Sequence, residues 1–174
     1  MFYGKSNWMI VLFSIFFSSV TFTDNLRLYG KLISDPCTIL PGDESITLDI
    51  NPVVDKYLYL NKRTLGKKLE INLIDCDVST SKNVSISING KEDAKLAGFL
   101  AVNSSEKLGV GLGFETFEGV NLPLNKLGNK IALKPKNNVI QLRVYVQAEE
   151  SSIVEKKIGR GSFDATATFH LKYE

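Results

Sequence analysis

Histidine is nearly missing from this chain: 174 residues contain one, His170. A Ser-His-Asp relay would have to run through that single imidazole, and a general base also needs a positioned partner. No such constellation is visible, and the scattered carboxylates show no pairing of the kind acid hydrolysis uses. Cysteine is almost as scarce, with only Cys37 and Cys76. Two cysteines and one distant histidine fall short of the number and clustering that zinc requires. An excess of one charge is missing too. The 21 Lys and Arg nearly balance the 19 Asp and Glu, for a net charge of +2. Neither a nucleic-acid-binding field nor an acidic tail is present. Beyond the first two dozen residues, no stretch offers three turns of helical periodicity with caps. The glycines Gly109, Gly111 and Gly113 have a phosphate-loop spacing but lie inside a strand pattern and open no helix. These gaps argue against an enzyme and imply no cofactor and no metal.

The first 23 residues differ from the rest. Lys5 supplies a short positive n-region, Trp8 to Phe17 an apolar run, and Ser18, Ser19, Thr21 and Thr23 a small, polar exit. This pattern predicts a secretory signal peptide over residues 1–23. The apolar run is short for a membrane span and no cluster of positive charge follows it, so no stable span is expected after cleavage. In an exported protein an even cysteine count predicts a Cys37–Cys76 bridge.

The remainder alternates in short segments. Leu26, Leu28, Gly30 and Leu32 share one face of an extended run that stops at Asp35-Pro36, and Pro41-Gly42-Asp43 makes a turn. Strands are predicted at Ile46–Ile50, Leu69–Cys76, Val84–Ile88, Ala97–Val102, Leu108–Glu115 and Val139–Ala148. Asn89-Gly90 is the best short turn signal, and Glu118-Gly119 and Gly128-Asn129 are read as further turns. The three glycines of Leu108–Glu115 predict a close backbone approach or a bulge. Residues 53–68 and 149–160 read as loops. Short strands with regularly spaced turns predict an all-β sandwich in one domain.

The last segment is the most regular. Phe163, Ala165, Ala167, Phe169, Leu171 and Tyr173 fall on one face of a strand, and Asp164, Thr166, Thr168, His170 and Lys172 on the other. A strand this regular must be paired, or it presents an open edge to another chain.

A leader, an alternating run before the first cysteine, a cysteine pair framing the front half and this terminal strand together resemble pilin subunits of bacterial chaperone–usher fimbriae. Gly161, fourteenth from the end, and the penultimate Tyr173 carry the most specific part of the likeness. The segment Asp24–Ile33 looks like the N-terminal extension of minor tip subunits, especially those of P-type and type 1 pili. The resemblance covers the whole chain beyond the leader. It implies an incomplete immunoglobulin-like sandwich that lacks its final strand, over residues 36–174, with residues 24–35 as a donor-strand extension running into the first strand. Leu26, Leu28, Gly30 and Leu32 would be donated to a neighbour. Gly161, Phe163, Ala165, Ala167, Phe169, Leu171 and Tyr173 would line the groove that receives a strand, and basic residues of a chaperone would anchor the terminal carboxylate at Glu174. The implied partners are a periplasmic pilus chaperone, an outer-membrane usher and neighbouring pilin subunits, with no nucleic acid. The implied destination is the cell-surface fimbrium, reached through the periplasm. The short extension, with no receptor-binding domain before it, points to a minor, adaptor-type subunit contributing to cell adhesion. The alternative is a stand-alone secreted sandwich that binds a ligand, as a lectin-like module would.

Overall fold

The computed structural model describes residues 35–174. The expected leader and the run Leu26–Ile33 lie outside the described residues. Within them, eight strands form two antiparallel sheets. In chain order the elements are β1 Thr38–Ile39, α1 Asp55–Asn61, β2 Lys67–Cys76, β3 Asn83–Asn89, β4 Leu100–Ala101, β5 Val110–Thr116, β6 Leu127–Ala132, β7 Lys136–Ala148, α2 Glu150–Val154 and β8 Thr168–Tyr173. One sheet has the order β1-β2-β7-β5-β4 and the other β6-β3-β8.

The core follows from alternation. Leu69, Ile71 and Leu73 of β2, Val84, Ile86 and Ile88 of β3, and Ile140, Leu142, Val144 and Val146 of β7 are all buried in one apolar cluster. Each set recurs every second residue, as one face of a strand requires. The longest strand, β7, is flanked by β2 and β5 and is therefore doubly paired.

Cys37 and Cys76 form the expected disulfide, which fastens the chain just before β1 to the end of β2. The Asp77 N–H donates to the Pro36 carbonyl beside it at 2.7 Å. The bridge closes a loop with a sequence separation of 39, for which chain entropy gives about 4 kcal/mol. A Cys37→Ser/Cys76→Ser double variant is expected to lose about 2–5 kcal/mol in denaturant titration. A loss below about 1 kcal/mol would show that the tether does not restrain the unfolded chain.

Several local expectations need correction. Residues 53–68 are not simply a loop, because α1 stands there with Leu58 buried beneath it. It ends at Lys62, whose φ of 64° turns the chain while its N–H donates to the Leu58 carbonyl at 2.8 Å. Residues 149–160 contain α2, which buries Ser152 against Gly109. Both helices are too short to show a periodic stripe. Asn89-Gly90 ends β3 in a bend as expected, but it closes no hairpin: β3 pairs with β6 and β8, and Gly90 is held by the Asn125 side-chain amide. Gly128 is not at a turn but inside β6, beside a register shift against β3, where an added Cβ would sit 2.9 Å from the Ile86 carbonyl. The close approach at Gly113 is by side chains, not backbone. A Cβ there would meet the Tyr145 ring at 2.4 Å and the Phe99 ring at 2.6 Å. Those two rings cover the outer face of β5, which explains why that strand is buried on both sides.

Candidate functional site

The site is built around β8. It pairs with β3 over Val84↔Tyr173 to Asn89↔Thr168 and has no strand on its other side among the described residues. The Glu174 N–H donates to the Asn83 carbonyl at 2.9 Å, and the Asn83 N–H donates back at 3.0 Å. Hydrogen-bonded pairs alternate with non-bonded ones in an antiparallel ladder. Lys172 and His170 therefore turn their backbone groups toward β3. Phe169, Leu171 and Tyr173 turn theirs toward the open side.

Opposite lies the segment Ser45–Ile50, which follows the turn at residues 41–44. Ile46, Leu48 and Ile50 pack against the core, while Thr47 and Asp49 are exposed. The alternation expected of a strand at Ile46–Ile50 is present, but the strand is not. From Ser45 to Ile50, no backbone N–H or carbonyl bonds to another backbone group among the described residues. The Asp49 carbonyl accepts from the Lys67 ammonium.

Between these two walls runs a cleft of 1390 Å³ with Ile71 and Leu112 at its floor. Phe163, Ala165, Ala167, Phe169, Leu171 and Tyr173 all line it and are half-buried against the core. Two facing edges whose backbone groups have no ladder partner among the described residues, an apolar floor and a gap between them have the form of an unfilled strand position.

Other anticipated residues lie elsewhere or outside the description. Gly161 does not line the cleft; it adjoins Leu108, Ser104 and Glu106, ahead of the run from Phe163 that leads into β8. Glu174 also lies beyond the lining. Its side-chain carboxylate accepts from Lys130 at 2.5 Å and from Lys172 at 2.8 Å, and these two ammonium groups hold its pKa down to about 2. It therefore stays ionised at any ordinary pH. Burial pushes the Tyr173 phenol up, and the nearby negative charge of Asp35 adds to the shift. Leu26, Leu28, Gly30 and Leu32 lie outside the described residues. The sequence reading assigned no role to the second wall. The available signal was the Ile46-Leu48-Ile50 alternation stopped by Asn51-Pro52.

The sequence profile of the family described as Fimbrial protein matches residues 26–174. The chain belongs to the fimbrial protein family. Among its relatives is the fimbrial-like protein YfcP of Escherichia coli (strain K12). The two are 31% identical over 149 residues, covering 84% of this chain and 82% of YfcP. The P pilus rod subunit PapA shares the fold, with a TM-score of 0.69 at 21% identity, over 80% of this chain and all of PapA. A subunit from a structure of a chaperone–usher pilus, determined to explain rod uncoiling, superposes with a TM-score of 0.70 at 20% identity. That match covers 87% of this chain and 95% of the other. This fimbrial subunit thus has the incomplete immunoglobulin-like sandwich expected of a pilin, and its place is the cell-surface fimbrium. No helix among the described residues is long and apolar enough to cross a membrane.

Proposed function

We propose that this pilin is a minor, adaptor-type subunit that is carried through the periplasm by a chaperone, handed to an outer-membrane usher, and built into the fimbrium by donor-strand exchange, so contributing to adhesion. One observation supports this reading above the others: the cleft between the open edge of β8 and the Ser45–Ile50 segment, neither of which has a strand partner across it among the described residues. An isolated subunit would leave both backbone edges and the apolar floor in water, and a strand added between them satisfies all three at once. The chaperone would supply that strand first and a neighbouring subunit would supply it in the fibre. Residues 24–33 would be this subunit's own contribution, with Leu26, Leu28 and Leu32 as the inserted side chains and Gly30 at a position without room for one. The test is periplasmic expression with and without a fimbrial chaperone. A stable one-to-one complex with the chaperone, and aggregation or degradation without it, is the expected result. A solitary monomer, soluble and stable in good yield, would overturn the reading.

A further inference from the structure

Asn89-Gly90 is the one Asn-Gly pair in the chain. It stands at the end of β3, where Asn89 pairs with Thr168 on the last rung of the ladder to β8. Such a pair carries a reaction of its own. The Gly90 backbone nitrogen can attack the Asn89 side-chain carbon Cγ. The new N–Cγ bond closes a five-membered succinimide, the Cγ–Nδ2 bond breaks, and the side-chain amide leaves as ammonia with the Gly90 proton. Water then opens the ring to aspartate or isoaspartate. Glycine makes the attack easiest, because no side chain shields its nitrogen. The fold also favours glycine here: an added Cβ would sit 2.5 Å from Cδ1 of the buried Leu100.

The folded subunit withholds each requirement of this reaction. The nucleophile is tied down first. The Gly90 N–H donates to Asn125 Oδ1 at 3.1 Å, and the Asn125 side-chain amide donates to the Gly90 carbonyl at 3.2 Å. Asn125 is itself fixed, with a φ of 59°, a backbone N–H that donates to the Ile88 carbonyl at 2.7 Å, and the buried Leu124 beside it. The strand holds Asn89 extended, which turns the Gly90 nitrogen away from Cγ. Attack would also place negative charge on Asn89 Oδ1, which is buried and accepts no hydrogen bond among the described residues. A developing oxyanion needs donors aimed at it, and this one would have none.

We infer that Asn89-Gly90 is a latent deamidation site, that Asn125 guards it, and that conversion is confined to chains that have not folded. The product is then shut out of the fold. Aspartate would carry a charge to a buried position with no donor, and isoaspartate would add a backbone methylene that breaks the register with Thr168. A chain left unfolded therefore acquires an irreversible mark that bars β8 from its place, while a folded one does not age at this bond. The guard acts whatever fills the cleft.

The test incubates the subunit as purified from the periplasm, with its chaperone where one is bound, in mildly alkaline buffer with and without urea. Trypsin releases residues 83–91, in which Asn83, followed by the β-branched Val84, is the slow internal reference. Isoaspartate at Asn89 should accumulate on the order of tenfold or more faster in urea than in the folded subunit. Asn125→Gly keeps the left-handed backbone and removes both side-chain bonds, so the folded variant should convert about tenfold faster than the parent. Asn125→Asp keeps the acceptor for the Gly90 N–H and should stay near the parent rate. Equal rates in folded and unfolded parent would overturn the inference. A parent-like rate in folded Asn125→Gly would overturn the guard, as would Asn125→Asp converting as fast as Asn125→Gly. If Asn125→Gly does not fold, the urea comparison and a fast Asn125→Asp remain able to sink the proposal. Asn89→Asp should lower the yield of folded subunit several-fold, and a parent-like yield would overturn the exclusion of the product.

Discussion

Replacing Phe169 with aspartate is expected to abolish capture of this subunit by its chaperone. The Phe169 ring sits half-buried on the floor of the cleft, on the same face as Ala167 and Leu171. Removing it forfeits roughly 1.5–3 kcal/mol of apolar burial once a strand covers it. The carboxylate put in its place would have to be desolvated under that strand without a partner, a further cost of several kcal/mol. Together these exceed about 4 kcal/mol, which lowers affinity on the order of a thousandfold. The measurement is co-purification from the periplasm, with Thr168→Asp as the control. Thr168 is the exposed neighbour on the opposite face of β8, so it tests whether a carboxylate on this strand is harmful in itself. Truncation before Phe163 should act as Phe169→Asp does. Tight binding by Phe169→Asp would show that the chaperone does not use this cleft.

Deleting residues 24–32 should have the opposite selectivity. The cleft is untouched, so the chaperone complex should form at the wild-type level. Incorporation into the next subunit should fail. Three leucines lose their burial, at roughly 1.5–3 kcal/mol each if fully covered, along with the backbone bonds of an added strand. The loss is on the order of a thousandfold or more in stability of the junction. It can be read as the disappearance of heat-resistant multimers on a gel. Normal polymerisation of the deletion would remove the donor assignment from this segment.

Much of this architecture could be read from alternation, because alternation reports which side chains are buried. Leu69-Ile71-Leu73, Val84-Ile86-Ile88 and Phe163 to Tyr173 each face inward as their spacing requires. What alternation does not report is pairing. Ile46-Leu48-Ile50 has a strand's burial pattern and no strand's ladder, since burial comes from the core beneath and hydrogen bonds come from a neighbour that the described residues do not supply. Glycine was ambiguous for a related reason. Gly128 yields to a carbonyl within a bulge, Gly113 yields to two aromatic rings, and Gly119 turns the chain with a φ of 87°. Short helices escaped notice because α1 buries only Leu58 and α2 only Ser152, too little to leave a periodic trace. The cleft's second wall was overlooked because a site made of two segments far apart in sequence has no local signature.

Amide protons along β8 fall into two populations. Those of His170 and Lys172 point into the ladder with β3, and those of Phe169, Leu171 and Tyr173 point into the gap. In an empty subunit, deuterium should therefore enter at every second residue, giving a comb in the exchange profile rather than a uniform decline toward the terminus. Filling the gap would close the comb's missing teeth. One strand would then report, residue by residue, whether a given copy is vacant or joined.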